Sequence, residues 1–595
     1  MVLGVRRGKP GGLTGCDKLG WHGRMPDTQA TPTFASITAP KPTRESLAAA
    51  YAALNTQLGS DLPGTLTAWD GLRREVDSWS ALVHLRFAQD TTDEAAQQAR
   101  EYADALSPVI TEYEVAMKRR LLALPGVEAL AGAHAMRLWE TDITTFDPAI
   151  SADLEEESRL SARYTALIAG AKITLDGKET NLAGLGPSVE NPDRATRHRA
   201  EQARWGFYAA HAEELDTIYD DLTRLRDGMA RKLGYADYTP LGYRRLRRVD
   251  YGPDQVARYR DEVATHVVPL VARLMEARRR EHGWDKLQYW DEALIDPAGN
   301  PKPAGGHDFL VAQAQSMFDD MDGRLGAFYR LMNAGGFLDL KNRPGKAGGG
   351  FCTSFPSVGV PFIFANFNGT HGDIGVFTHE MGHAFQNWES RDQPGIDYLW
   401  PTMEAAEVNS MGLEFLTLPG IGKLVGEAEV ARFTRMQLIT SLAFLPYGVC
   451  VDHFQHEVYA NPTATPAERH AMWQRLERRY MPWTDYGDLA YPAMGARWQA
   501  KGHIYGSPFY YIDYTLAMCC AMQFWVWSRR DYAGALDAYV KLCAQGGSAP
   551  FGELVASAGL VSPFEPGALA DVVREAEAVL GLTPTPSPAG GRGPG

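Results

Sequence analysis

Residues 375–386 read GVFTHEMGHAFQ, and no other stretch restricts the chain's local fold and chemistry as tightly. His379 and His383 are four residues apart. On an α-helix that spacing stacks them on one face, where two imidazoles can reach a single ion. Glu380 projects about 100° around the same helix from His379. It therefore flanks the ion without ligating it, placed to take the proton of an attacking water, which is the mechanical content of an H-E-x-x-H pattern. Asp373 reads as the N-cap of this helix, and no proline follows until Pro394. In a chain with this many His and Glu residues, chance produces the pattern on the order of a few per cent of the time. The discriminating question is whether a third ligand exists.

A catalytic zinc needs three protein ligands and an open position. The metzincin continuation H-E-x-x-H-x-x-G-x-x-H is absent, because Gln386 stands where Gly is required and Glu389 where His is required. The other common solution is a glutamate from a second helix. The segment PTMEAAEVNSMGLEFL, rich in helix formers, offers Glu404, Glu407 and Glu414. Spacing alone does not choose among them. Glu404 and Glu407 share a helical face, so either could ligate while the other orients a histidine.

Around this site the chain reads as mostly helical. From residue 43 to about 124, apolar residues recur at three- and four-residue steps among Ala, Leu, Glu and Arg, punctuated by Pro63-Gly64 and ended by Pro125-Gly126. A further helix is predicted over 150–169. AKITLDGKETNLAGL then alternates with period two about Asp176-Gly177, the signature of a β-hairpin. Asn191-Pro192 opens a helix continuing to Lys232, and 254–283 and 307–333 are helical again. VGVPFIFANFNG is suited to a strand. The Gly-rich stretch before it, 345–350, lacks the G-K-[ST] ending of a phosphate loop, since Ala347 follows Lys346. Residues 1–33 read as a disordered leader, with Met25 a candidate working start, and 583–595 as a disordered tail.

Several classes of function are excluded. A formal net charge of −14 argues against nucleic acid as a partner. No apolar run approaches the roughly 18 residues that span a bilayer. LTGC at residues 13–16 mimics a lipoprotein box, but VRRGKPGG before it lacks the apolar core of a signal peptide. The six cysteines form no C-x-x-C pair, and such sparse usage fits a reducing compartment.

HEMGHAFQ followed by AEVNSMGLE, with Glu407 lying 24 residues after His383, resembles the oligoendopeptidase F branch of the thimet-type (M3) metallopeptidases. The likeness extends through GKAGGGFCTSF, PFIFANFNGT and HIYGSPFYYIDYTLA and covers roughly residues 34–580. It implies His379, His383 and Glu407 as ligands of one zinc per chain, with Glu380 as general base. It also implies that His503, Tyr511 and Tyr514 lie beside the scissile carbonyl; without it these would read as core and surface aromatics. Tyr510 stays open, because a local insertion shifts the register. His371, His453 and His456 read as structural. The Gly-rich stretch would be a mobile segment closing over peptide, and PFIFANF would offer its edge to an extended substrate.

The expected fold is therefore mainly α: a two-lobed helical zinc peptidase with a small β-sheet beside the active-site helix and a deep substrate channel, the channel being implied by the resemblance. An N-terminal helical domain is predicted over 34–190, with the hairpin near its end, and a catalytic domain over 191–582. The expected activity is endopeptidase cleavage of short unstructured peptides in the cytoplasm, without nucleic acid or membrane partners. Two rivals are a zinc exopeptidase of carboxypeptidase type on a related scaffold and a non-catalytic peptide-binding protein.

Overall fold

The computed structural model describes residues 32–582; the predicted tail, and the predicted leader up to residue 31 with Met25, lie outside the described residues. Thr33 precedes a 3-10 turn, Phe34–Ser36. Phe34 ties this end down: its N–H donates to the Gly335 carbonyl at 2.8 Å, and its ring lies 4.6 Å from that of Phe362.

Three helices, Arg44–Gln57, Leu62–Gln89 and Glu94–Leu122, build the N-terminal layer. Each starts on a side-chain cap that satisfies free backbone N–H groups: Thr43, Asp61 and Asp93. Two apolar clusters hold the layer, one around Trp69, Leu121 and Trp139, the other around Leu47, Trp79 and Leu106. The larger cluster fills the rest of the molecule. The two parts meet at the turn Ile396–Tyr398. Arg73 grips the Asp397 carboxylate with two bonds of 2.7 and 2.8 Å, Trp139 Nε1 donates to it at 3.0 Å, and Asp70 accepts from the Ile396 N–H at 2.6 Å.

The 151–169 helix and the hairpin form as the sequence predicts. Strands β1 (Ile173–Leu175) and β2 (Lys178–Thr180) pair antiparallel about Asp176 and Gly177, both at positive φ. The helix predicted from Asn191-Pro192 differs in detail. Asp193 is its cap, so Pro192 lies outside, and it breaks at His211 into Arg194–Ala210 and Ala212–Lys232. Arg226, on the second of these, is buried against Glu157 of the Ser151–Ala169 helix at 2.7 Å, and Arg245 closes on the same carboxylate at 2.8 Å.

This triad makes a stability prediction. Burial alone would raise the Glu157 pKa, but the charges of Arg226 and Arg245 outweigh it and bring it from 4.5 to about 2. A carboxylate with a lowered folded pKa stabilises fully above its unfolded value and loses that contribution as pH falls. The window is therefore pH 4.5 down to about 2, and the amount is about 3 kcal/mol. Glu157→Gln should be less stable than wild type at neutral pH, with the gap closing as pH drops through that window in denaturant titrations. A gap independent of pH would contradict the assignment.

The second sheet places the active site. Its order is β3 (Leu338–Lys341), β5 (Val360–Phe367), β4 (Phe351–Phe355), with β3 parallel and β4 antiparallel to β5. PFIFANF is thus the central strand, and both its edges are taken. The expectation that it offers an edge to substrate is corrected: the edge on the side of the Leu62–Gln89 helix belongs to β4, inside the supposedly loop-like GGGFCTSF. The Gly-rich stretch is also tethered. Lys346, its ammonium buried, donates to Asp339 Oδ1 at 2.9 Å and to the Ala365 carbonyl at 2.6 Å. Asn366 donates to the carbonyls of Ala347 and Gly349, both at 2.8 Å.

Candidate metal centre and active site

The motif helix, His371–Glu389, follows β5 through a tight Asn-Gly-Thr turn. Its N-cap is Thr370 rather than Asp373. Asp373, one turn in, reaches back to accept from the N–H groups of Asn368 (2.9 Å) and Gly369 (2.7 Å), fixing the angle between strand and helix. The glutamate helix, Met403–Leu416, is buried along nearly its whole length. It crosses the motif helix at Gly382, where an added Cβ would lie 2.5 Å from the Asn409 carbonyl oxygen and 2.6 Å from Ser410 Cα. Backbone therefore touches backbone one residue before His383.

That approach brings the predicted ligands together. Glu407 Oε2 lies 3.2 Å from His379 Nε2 and 3.5 Å from His383 Nε2, and ligand atoms of the three all lie within 4.8 Å of one another. Two imidazole nitrogens and a carboxylate oxygen are a zinc donor set. The Nδ1 of His379 is engaged by Glu414 Oε1 at 2.8 Å, leaving Nε2 for the ion, and Gln437 donates to the other Glu414 oxygen at 2.9 Å. The residue that orients a histidine is thus Glu414, two turns beyond Glu407, and not Glu404. Glu404 is buried, accepting from Thr402 Oγ1 at 2.9 Å. Glu380 is buried beside the pair, and its Oε2 has no hydrogen-bond partner among the described residues. A donor set of three with an unpaired carboxylate oxygen alongside fits one catalytic zinc.

Electrostatics follow from this crowding. Burial would depress His379, but the hydrogen bonds it donates to Glu407 and Glu414 hold it well above the ordinary imidazole range. Burial opposes ionisation of Glu407 too, yet the neighbouring histidines hold its carboxyl well below the usual value. Glu380 has no such partner, and burial raises it despite the two histidines. If Glu414 acts by orienting His379, Glu414→Gln should weaken zinc binding by about 10–100-fold. Competition with a chromophoric chelator reads this directly; unchanged affinity would refute the role.

The aromatic set lies on two further helices. His503 is on a short helix, Gly502–Gly506, and Tyr511 and Tyr514 open the tyrosine helix, Tyr511–Ser528. The His503 ring lies 5.0 Å from that of Tyr511 and 5.7 Å from that of Tyr514. Burial, then Lys501, lowers His503 to about 4, so it is neutral at physiological pH. Tyr514 is raised by burial and by the nearby Glu407 charge, whereas Tyr511 packs against Phe444 and Tyr447 behind it. Tyr510, left open by sequence, donates to Glu407 Oε1 at 2.8 Å. Its aim depends on Phe509, held at φ 64° by an N–H bond to Gln455 (3.0 Å) and by Arg248 on its carbonyl (2.7 Å). His371, His453 and His456 are apart from this group, bound to Glu190, Tyr480 and Tyr243 respectively.

Comparison with known proteins agrees with this architecture. Residues 34–146 match the Peptidase M3 N-terminal domain, and residues 188–296 and 328–572 match Peptidase family M3. A structure assigned as oligoendopeptidase F is 43% identical, with a TM-score of 0.88, over 93% of this chain and 99% of its own. PZ peptidase A, solved with an inhibitor, is 41% identical with a TM-score of 0.88, over 92% and 99%. A Bacillus anthracis protein assigned as oligoendopeptidase F is 37% identical with a TM-score of 0.84, over 93% and 99%. No curated protein matches the chain. Among the described residues, no helix is long and apolar enough to cross a membrane.

Proposed function

The chain belongs to peptidase family M3, in its oligoendopeptidase F branch, and from that premise we propose a zinc-dependent endopeptidase acting on internal bonds of short unstructured peptides in the cytoplasm. The observation that carries the reading is the convergence of His379, His383 and Glu407, from two helices in backbone contact, beside an unpaired Glu380 carboxylate. The three side chains would hold zinc, which when bound supplies a Lewis acid for the scissile carbonyl and for water.

Glu380 would take the proton of the attacking water and deliver it to the leaving amine nitrogen, so the carboxylate is regenerated as the C–N bond breaks. Its raised pKa suits both halves of that exchange. Tyr514 and the neutral His503 would donate to the carbonyl oxygen as it gains charge, with Tyr511 in the same aromatic group. Tyr510 would hold the Glu407 carboxylate in place. The peptide itself would lie along the edge of β4, which Gly350 immediately precedes; a Cβ there would sit 3.7 Å from Glu380 Oε1. Main-chain pairing of that kind tolerates many sequences. A cleft walled by the N-terminal layer would exclude folded proteins, and the five free cysteines among the described residues suit a reducing compartment.

The test is digestion of peptides blocked at both ends, with products mapped by mass spectrometry. Internal cuts that stop on chelation and return with zinc are expected. An exopeptidase would leave such substrates intact, and a binding protein would lack stoichiometric zinc; either result would overturn the proposal.

A further inference from the structure

A cavity of about 320 Å³ opens between the Leu62–Gln89 helix, β4 and the end of the motif helix, lined in part by Asp77, Ser80, Thr353, Ser354, Asn387 and Trp400. Asp77 is the one charged residue on its wall. Its carboxylate forms no hydrogen bond or ion pair with any described residue. Arg73, the cation that acts on it most strongly, is committed elsewhere, to Asp397 at 2.7 Å and Glu114 at 3.1 Å. Asp77 is exposed, its carboxylate open to the cavity. An unpaired carboxylate on the wall of an otherwise uncharged cavity attracts a cation that enters it.

The cavity adjoins the reaction centre. Asn387 lies one helical turn beyond His383 and donates to its carbonyl at 3.2 Å, while the Trp400 ring lies 5.4 Å from the His383 imidazole. Strand β4 leaves Gly350 next to Glu380 and passes the cavity at Thr353 and Ser354. At about 3.3 Å per residue, a peptide lying along that strand brings a side chain to Asp77 within roughly four residues of the reacting bond. We propose that Asp77 is a specificity-determining residue of this cleft, the counter-ion of a subsite that accepts a lysine or arginine side chain of the peptide substrate. The hydroxyls of Ser80, Thr353 and Ser354 can accept the remaining N–H donors, and Trp400 offers a flat face to a guanidinium or to the aliphatic stem. Arginine, with its planar fork, suits a single carboxylate better than lysine does.

This inference rests on the peptidase reading above, and the experiment separates the two. Doubly blocked peptides, identical except for arginine, citrulline or glutamate at one position at a time, are compared by kcat/KM for wild type, Asp77→Asn and Asp77→Lys. Wild type should favour arginine by about tenfold or more at one position. Asp77→Asn should erase that preference while leaving the citrulline peptides unaffected, and Asp77→Lys should shift it toward glutamate. Binding of the same peptides to zinc-loaded Glu380→Gln, read by fluorescence anisotropy, reports the charge preference without hydrolysis. Absence of an arginine preference at every position, or an equal loss for all peptides in Asp77→Asn, would overturn the subsite. Failure of wild type to cut any peptide would overturn the peptidase reading, while the binding assay still decides the role of Asp77.

Discussion

Replacing Glu380 by glutamine is expected to lower kcat by about three orders of magnitude, within the 10²–10⁴ range that a positioned general base contributes. The side chain keeps its volume, so the buried packing around it should survive. What disappears is a buried carboxylate beside the ligand set whose Oε2 has no hydrogen-bond partner among the described residues. Glu407 cannot replace it, because Tyr510 and Ser410 already donate to its two oxygens at 2.8 Å. Glu414 cannot either, being committed to His379 and Gln437. Zinc content should stay at one per chain, since Glu380 is not among the three proposed ligands, and KM should change far less than kcat because the interaction is made with the proton in flight. A glutamine variant that retained a tenth or more of the wild-type kcat would remove Glu380 from the mechanism.

The metal-binding half of this site was legible in the sequence because it is local. An i, i+4 pair of histidines on a helix needs no tertiary information; spacing left three acids of the next long helix open as the third ligand, and only the family resemblance singled out Glu407. Where the outcome depended on how helices meet, the sequence was silent. Glu404 shares a face with Glu407, and spacing offered one of that pair, not Glu414, as the residue that orients a histidine. Only the crossing of the two helices shows that the Nδ1 of His379 points two turns along, toward residue 414. Tyr510 is a similar case. Its contact with Glu407 is set by the left-handed backbone of Phe509, which no pattern of residue types announces.

The sheet was misjudged for a different reason. A run of buried residues such as those of β5, buried from Val360 to Ala365, marks a strand covered on both faces and flanked on both sides. The true edge, FCTSF, is five residues long and emerges from a glycine run that looked like a flexible loop. Lys346 reverses that impression, since burying its ammonium among an acid and several carbonyls fixes the run to the sheet. The N-terminal layer was read as helical because apolar spacing and Pro-Gly punctuation are both short-range signals. The service those helices perform, walling a cavity with Asp77, was invisible: on a helix map Asp77 is one more acid.

Gly382→Ala is expected to lower zinc affinity and kcat/KM by about 100-fold or more, although it adds a single methyl group inside a helix. Helix propensity predicts the opposite sign, since alanine is favoured over glycine there by about 1 kcal/mol. Packing decides the matter. The new Cβ would lie 2.5 Å from the Asn409 carbonyl oxygen and 2.6 Å from Ser410 Cα, and both are backbone atoms that cannot rotate away. The helices would have to separate by about 1 Å to restore van der Waals contact. His379 and His383 ride on one of them and Glu407 on the other, so the separation opens the ligand set along the line that closes it, where tolerances are about 0.5 Å. Overpacking of this kind also costs about 1–3 kcal/mol of stability. Gly375→Ala is the control on the same helix: its Cβ meets nothing within 4 Å, so there the propensity gain should stand alone. Zinc titration and thermal melts of the two variants should therefore diverge, one losing metal affinity and stability, the other melting at or above wild type. Equal behaviour of the two alanines would mean that contact between the helices does not set the metal site.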